Sequence, residues 1–226
     1  TLFEFVQKML NWDNIETVLL DMDGTLLDLH YDNYFWQEHL PSQYAKQNSI
    51  PLDQAKTHLQ TLFSKQSGTL NWYCVDFWSD CLQVDIPALK KEIDHLIGLR
   101  PQVAPFLKWL SESSRSCYLV TNAHEKSLSL KLNKTGIDQY LDGVFCSHEF
   151  GAPKESQEFW LRFQKKLPFE KTNTLLIDDN ESVLVSAKTF GIRHLLSIEQ
   201  PDSHLSPREL GEFPAVTCYS KLAPLD

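Results

Sequence analysis

The chain has 226 residues, 42% hydrophobic and 23% charged, which suits a soluble globular protein with one core domain and an insertion, or with two small domains. A net charge of −9 and a pI near 5.3 argue against nucleic acid as a partner, because phosphate backbones are held by clustered Lys and Arg. No apolar run reaches bilayer length, so no membrane association is expected. The five cysteines (Cys74, Cys81, Cys117, Cys146 and Cys218) form no C-x-x-C pair and read as reduced thiols of a cytoplasmic protein.

In chain order, residues 1–10 read as an amphipathic turn or two, without the basic leader and long apolar run of a signal peptide. Residues 15–20, Ile-Glu-Thr-Val-Leu-Leu, read as a buried strand that runs into Asp21-Met22-Asp23-Gly24-Thr25. About a hundred residues separate Asp21 from Thr121, far more than a simple crossover needs. This stretch is aromatic-rich and punctuated by Pro41, Pro51 and Pro87. It is predicted helical over 32–40, 52–66, 71–82 and 87–97, with Gly98 as a stop. Helices over 103–113, 125–135, 155–166 and 181–190 then alternate with strands over 116–120, 143–146, 174–177 and 192–197. That rhythm predicts an α/β fold, a Rossmann-like three-layer core with a mostly parallel sheet, plus an inserted helical domain. The tail, 200–226, is weakly patterned.

Side chains alternate along a strand, so Asp21 and Asp23 leave it on the same side, at the sheet edge where ligands of open α/β folds bind. Two carboxylates so placed repel unless a cation lies between them or one is protonated. The geometry suggests a hard metal ion, an aspartyl nucleophile and a neighbouring general acid/base. An acidic protein acting on an anionic substrate also needs a local cation to offset its own field. Asp178 and Asp179 close the third buried strand and offer further oxygen ligands. Eight scattered histidines with no paired spacing argue for Mg²⁺ over zinc.

Taken in order, a strand ending in DxDGT, a strand ending in Thr121-Asn122, the lone Lys154 after Pro153, and a strand ending in Asp178-Asp179 resemble the four motifs of the haloacid dehalogenase superfamily. The resemblance covers nearly the whole chain. It implies that residues 12–28 and 99–226 form the catalytic core and that 29–98 form a type 1 helical cap, closing over the site on hinges near 27–29 and 98–101. It makes Asp21 the nucleophile and Asp23 the general acid, then base, with the Asp23 backbone carbonyl also on the metal. Thr121 and Asn122 would bind the transferring phosphoryl group, and Lys154 would balance charge. Asp21, Asp23, Asp178 and Asp179 would form the Mg²⁺ site, with Asp179 favoured as the direct ligand. An Asp at position 23 favours a phosphatase or phosphomutase, since dehalogenating members lack it.

Substrate choice would lie in the cap. Tyr31, Tyr34 and Phe35 share one helix face, and Trp72, Val75 and Trp78 another. They read either as the cap's own core or as an aromatic wall for a base, with Asn33 or Asn71 reading its edge. The strings LLDMDGTLLD, DNYFW, LNWYC, TNAH, IDD and GIR together look like the bacterial GMP/IMP nucleotidases of this superfamily, which are Mg²⁺-dependent and cytoplasmic. The resemblance implies a phosphate monoester substrate, GMP or IMP, and makes Asn33, Trp36, Asn71, Trp72 and His124 candidate substrate contacts. His124 also reads as a solvated loop residue. Two alternatives stay open: a phosphatase or phosphomutase acting on sugar phosphates or phosphoglycolate, and a non-catalytic nucleotide-binding protein. Oligomeric state is left undetermined.

Overall fold

Strand β1, Thr17–Leu20, lies near the middle of a six-stranded sheet whose neighbours are all parallel. The computed structural model describes residues 10–209 and 211–223 of the chain. The amphipathic turn expected over 1–10 therefore lies, Leu10 apart, outside the described residues.

After β1 the chain enters α1, His30–Tyr34, passes through a π-helical turn, Phe35–His39, and continues as α2, Leu40–Asn48. The helix predicted over 32–40 is thus part of a longer run. Pro41 does not end it, because it falls in the first turn of α2, where its missing N–H is tolerated and the wide π turn before it relieves the clash with the preceding carbonyls. Helix α3, Leu52–Gln66, follows Pro51 as expected. The helix predicted over 71–82 is two, α4, Leu70–Tyr73, and α5, Val75–Leu82. Cys74 is extended between them, and its thiol accepts the Phe77 amide as an N-cap. The stretch 87–97 resolves into α6, Ile86–Glu92, capped by Asp85, and a 3-10 turn, Asp94–Leu96.

Helix α7, Val103–Ser111, leads into β2, Ser116–Thr121. Helix α8, Glu125–Thr135, then β3, Gly143–Cys146, and α9, Gln157–Lys166, follow. Next come β4, Thr174–Ile177, and α10, Glu181–Phe190, which ends at the left-handed Gly191. Strand β5, His194–Ile198, begins two residues later than predicted. The tail supplies what its pattern does not show: β6, Ala215–Val216, and a 3-10 turn, Tyr219–Lys221. A strand of two residues is too short for periodicity to reveal. The sheet order is β3-β2-β1-β4-β5-β6.

Strand alternation sorts the core into two layers. Val18, Leu20, Leu119, Leu175 and Ile177 face one way, against Phe106, Leu107 and Leu110 of α7. Leu19, Val120 and Leu176 face the other, against Phe159, Trp160 and Phe163 of α9 and Val183, Leu184 and Ala187 of α10. Near-continuous apolar strands are what a parallel sheet covered on both faces requires. Register matters most for the site. Leu20 pairs with Leu119 on one side and Ile177 on the other, so β1 and β4 end at one height, with β2 running two residues further to Thr121 on the same edge.

The two segments joining the helical insertion to the sheet run side by side. Leu27 and Leu99 form an antiparallel bridge, the Asp28 amide donates to Gly98 O (2.9 Å), and the Arg100 amide donates to Leu26 O (3.0 Å). Among the described residues, no helix is long and apolar enough to cross a membrane.

Candidate active site

The loop after β1 is a tight turn: Met22 O accepts the amides of Leu26 and Leu27, and Gly24 takes a φ of +78°. Glycine is required here twice over. The conformation is left-handed, and a Cβ would sit 2.7 Å from the Asp179 carboxylate. The turn also brings the buried Thr25 under the fourth motif, where its Oγ1 accepts the Asp179 amide (3.1 Å). Tyr219, from the tail, donates its hydroxyl to Thr25 O (3.0 Å) and braces the turn from below.

Lys154 is the centre of the charge arrangement. Its buried Nζ donates to Asp21 Oδ1 (2.6 Å), Asp178 Oδ2 (2.6 Å) and Val120 O (2.9 Å). Burial alone would depress this ammonium, but Asp178 and Asp21 outweigh it and hold its pKa above the usual lysine value. Burial pushes the Asp21 carboxyl up to about 6 despite Lys154. Asp178 and Asp179 are also raised by burial, and Asp179 is raised further by the charges of Asp21 and Asp178. Asp178 is fully engaged, since its Oδ1 accepts the Asn180 amide (2.9 Å). Among the described residues the Asp179 carboxylate has only Arg208 as a hydrogen-bond partner, at 3.4 Å, and the same guanidinium donates to Asp179 O at 2.9 Å.

Asp21, Asp178 and Asp179 can each offer one oxygen with all three within 4.8 Å of one another. Two buried carboxylates and a partly buried third, against the Lys154 ammonium and the exposed Arg208, leave an excess of negative charge, and the donors are oxygen only. The set fits a hard divalent cation.

Thr121 and Asn122 end β2 beside this cluster, both buried. The Asn122 side chain is turned toward the protein: Oδ1 accepts the Lys154 amide (2.9 Å) and Nδ2 donates to Glu155 Oε2 (2.9 Å). It fixes the lysine loop, and helix capping falls instead to His124, whose Nδ1 accepts the Lys126 amide. His124 is buried, not a solvated loop residue, and burial lowers its pKa.

Asp23 is half-buried. Its Oδ1 accepts a hydrogen bond from Lys131 Nζ (2.6 Å), and burial pushes its carboxyl up to about 6. Lys131 sits on α8 and also donates to Asp32 of α1 (2.6 Å), which in turn accepts from Lys90 of α6 (2.8 Å). Sequence reading missed these three. The available signal was a lysine three residues after the buried Leu128, on the apolar face of α8.

All these carboxylates open onto one cleft of about 520 Å³, a size typical of small-molecule sites. Its far wall is the helical insertion, where Trp36, Phe63, Trp72 and Trp78 pack edge to face, with Phe63 at 4.9 Å from Trp78 and 5.5 Å from Trp36. The aromatic faces divide between core and cleft. Tyr31, Phe35, Val75 and Trp78 are buried core, while Tyr34 turns outward and the break at Cys74 leaves Trp72 38% exposed on the cleft. Asn33, Trp36 and His124 also line the cleft, with Asn33 Nδ2 held by Asp202 (2.7 Å). Asn71 does not: it is exposed and faces Gln66 on the cleft's outside. Unforeseen in the sequence are Gln37 on the wall and Tyr73, which donates to Glu155 Oε1 (2.5 Å) across the gap between insertion and sheet.

Residues 15–191 match the profile of the haloacid dehalogenase-like hydrolases. The chain is 40% identical over 213 residues to the GMP/IMP nucleotidase YrfG of Escherichia coli, covering 94% of this chain and 96% of that one. Among solved structures it resembles a HAD phosphatase from Thermococcus onnurineus (TM-score 0.75, 20% identity, 92% and 96% of the two chains). It also resembles the HAD-hydrolase YfnB from Bacillus subtilis, solved bound to magnesium (TM-score 0.63, 19% identity, 92% and 96% of the two chains).

Proposed function

The chain belongs to the haloacid dehalogenase-like hydrolase family, and on that footing we propose that it is a Mg²⁺-dependent phosphatase hydrolysing the purine nucleoside 5′-monophosphates GMP and IMP. The observation that carries this reading is a single cleft with the Asp21–Lys154–Asp178–Asp179 cluster at one end and the Trp36–Trp72 aromatic wall at the other. An anion site and a flat apolar face lining one cleft suit a nucleotide. The identity to a GMP/IMP nucleotidase over most of both chains supports the purine.

In this reading Asp21 attacks phosphorus through its carboxylate. The P–O bond to the 5′-oxygen breaks while Asp23 gives that oxygen a proton. Asp23 then takes a proton from water as the water attacks the aspartyl-phosphate, releasing inorganic phosphate and restoring Asp21. Lys154 holds Asp21 in place and offsets phosphate charge, and Thr121 and the Asn122 backbone bind the phosphoryl oxygens. Mg²⁺ would be held by Asp21, Asp179, Asp178 and the Asp23 carbonyl, and would supply neutralisation of the phosphoryl charge. Residues 29–98 act as the cap, and the paired linkers at 26–28 and 98–100 support a hinge that moves as one ribbon. The five free thiols support a cytoplasmic setting.

The test is phosphate release from GMP, IMP, AMP, UMP, a hexose phosphate and phosphoglycolate, with Mg²⁺ and with chelator. Mg²⁺-dependent release from GMP and IMP above the rest is the expected result. Preference for the sugar phosphates would remove the purine. Binding without turnover would leave a nucleotide-binding protein.

A further inference from the structure

Lys131 and Lys90 are two fully buried ammonium groups that the proposed chemistry leaves without a role. With Asp23 and Asp32 they form a chain of alternating charge: Asp23 to Lys131 at 2.6 Å, Lys131 to Asp32 at 2.6 Å, Asp32 to Lys90 at 2.8 Å. The surroundings are apolar and aromatic. Lys131 Nζ lies 5.2 Å from the Tyr31 ring centre, and Lys90 Nζ lies 4.6 Å from that of Phe35. Tyr31 donates its hydroxyl to Lys90 O (3.0 Å) and closes the enclosure. Burying the two ammonium groups costs several kcal/mol each, and pairing them with the partly buried Asp23 and Asp32 returns little net stability, so the chain is poorly explained as a device for holding the fold together.

Its placement suggests another use. Asp23 and Lys131 belong to the sheet side, on the β1 loop and on α8, whereas Asp32 and Lys90 belong to the insertion, on α1 and α6. The chain therefore crosses the boundary that cap movement would open. Lys131 engages only Oδ1 of Asp23, and Oδ2 has no hydrogen-bond partner among the described residues. One oxygen is pinned and the other is left for proton transfer at the cleft.

We propose that Lys131 is a positioning residue for the acid/base Asp23, and that Asp32 of the insertion completes this positioning only while the insertion is seated on the sheet. The proposal rests on the acid/base role of Asp23 given above. With the insertion seated, the Lys131 ammonium is fixed from both sides and orients Asp23 toward the leaving oxygen. With the insertion lifted, Lys131 loses Asp32 and the Asp23 carboxyl is free to turn. Proton delivery is thereby tied to closure.

Leaving groups separate this from a merely structural role. A 5′-alkoxide needs the proton, whereas p-nitrophenolate leaves without it. The full chain with Mg²⁺ would be assayed on GMP and, by stopped flow, on p-nitrophenyl phosphate, as wild type and as Asp23→Asn, Lys131→Met, Lys131→Arg and Asp32→Asn. Asp23→Asn sets the reference, with GMP turnover lost and a retained burst of p-nitrophenolate. Lys131→Met is expected to lower kcat on GMP about 10²-fold with KM little changed, while the burst rate stays within about threefold. Lys131→Arg should recover part of the loss, and Asp32→Asn should lower kcat on GMP about tenfold. Equal losses on both substrates in Lys131→Met would overturn the proposal. If that variant does not fold, Lys131→Arg and Asp32→Asn decide it by the same ratio, and full GMP turnover in Asp32→Asn would overturn the link to closure. If Asp23→Asn itself shows no leaving-group dependence, the acid/base reading of Asp23 fails, and this proposal falls with it.

Discussion

The strand ends and the helical insertion face the same cleft but are built on different terms. At the strand ends Asp21, Asp178 and Lys154 fix one another by short contacts. Lys154 bridges Asp21 and Asp178, Asn122 holds the Lys154 loop, and Thr25 holds the Asp179 amide. The insertion is held internally by aromatic packing and shares a buried apolar cluster with the sheet side, and its polar contacts across the boundary include Asp32 with Lys131, Tyr73 with Glu155, Asp76 with Lys126, Asp94 with Lys134 and Asn33 with Asp202. A charge cluster for the chemistry thus faces an aromatic wall carried by a separate set of helices, which suits one reaction applied to a chosen leaving group.

The largest expected effect is at the charged end of the cleft. Asp21→Asn should reduce phosphate release about 10⁴-fold or more, with substrate binding retained, read by steady-state kinetics and by isothermal titration with GMP. Residual turnover near wild type would mean that the nucleophile lies elsewhere. Lys154→Met should cost about 10²- to 10³-fold in kcat and also lower the melting temperature, because Asp21 and Asp178 lose their buried partner.

A pH experiment tests the electrostatics of the same end. Burial raises the Asp21 and Asp23 carboxyls from 3.8 to about 6, so the metal-free folded state holds protons that the unfolded state has lost. A raised carboxyl contributes stability below pH 3.8 that disappears as pH climbs through about 6. The melting temperature of chelator-treated protein should therefore fall across that window. Mg²⁺ should restore it, and the gap between the two curves should widen above pH 6. The gap should narrow in Asp21→Asn, and parallel curves in wild type would contradict the assignment.

The wall should respond more gently and differently. Trp72→Ala is expected to raise KM for GMP about tenfold with kcat within about threefold, and to affect p-nitrophenyl phosphate far less. Equal effects on both substrates would place Trp72 in the insertion's packing and not in base binding. The smallest effect belongs to Tyr73→Phe, which removes one hydrogen bond across the gap, of about 1 kcal/mol. It should raise KM for both substrates together by about two- to threefold.

The contrast also divides what could be read in advance. Asp21, Asp23, Thr121, Asn122, Asp178 and Asp179 are legible because they follow short apolar runs, and a parallel sheet brings such ends to one edge, whereas Lys154, on a loop after Pro153, is singled out only by the family resemblance. Local rules likewise give most helices, down to Pro51 opening α3 and Gly136 and Gly191 closing α8 and α10. What escaped is set by contacts far apart in sequence. Cys74 breaks one predicted helix, β6 exists because β5 offers it an edge, and Asn71 faces away from the cleft it was expected to line. Lys131, Asp32 and Lys90 lie 58 to 108 residues from the groups they pair with. Strand ends and caps depend on neighbours a few residues away, so five of the six strands, the order of motifs and the carboxylates at the sheet edge can be read from the chain. Which buried charges meet, and which aromatic rings face the cleft, depends on how separate layers dock, for which local sequence carries no signal.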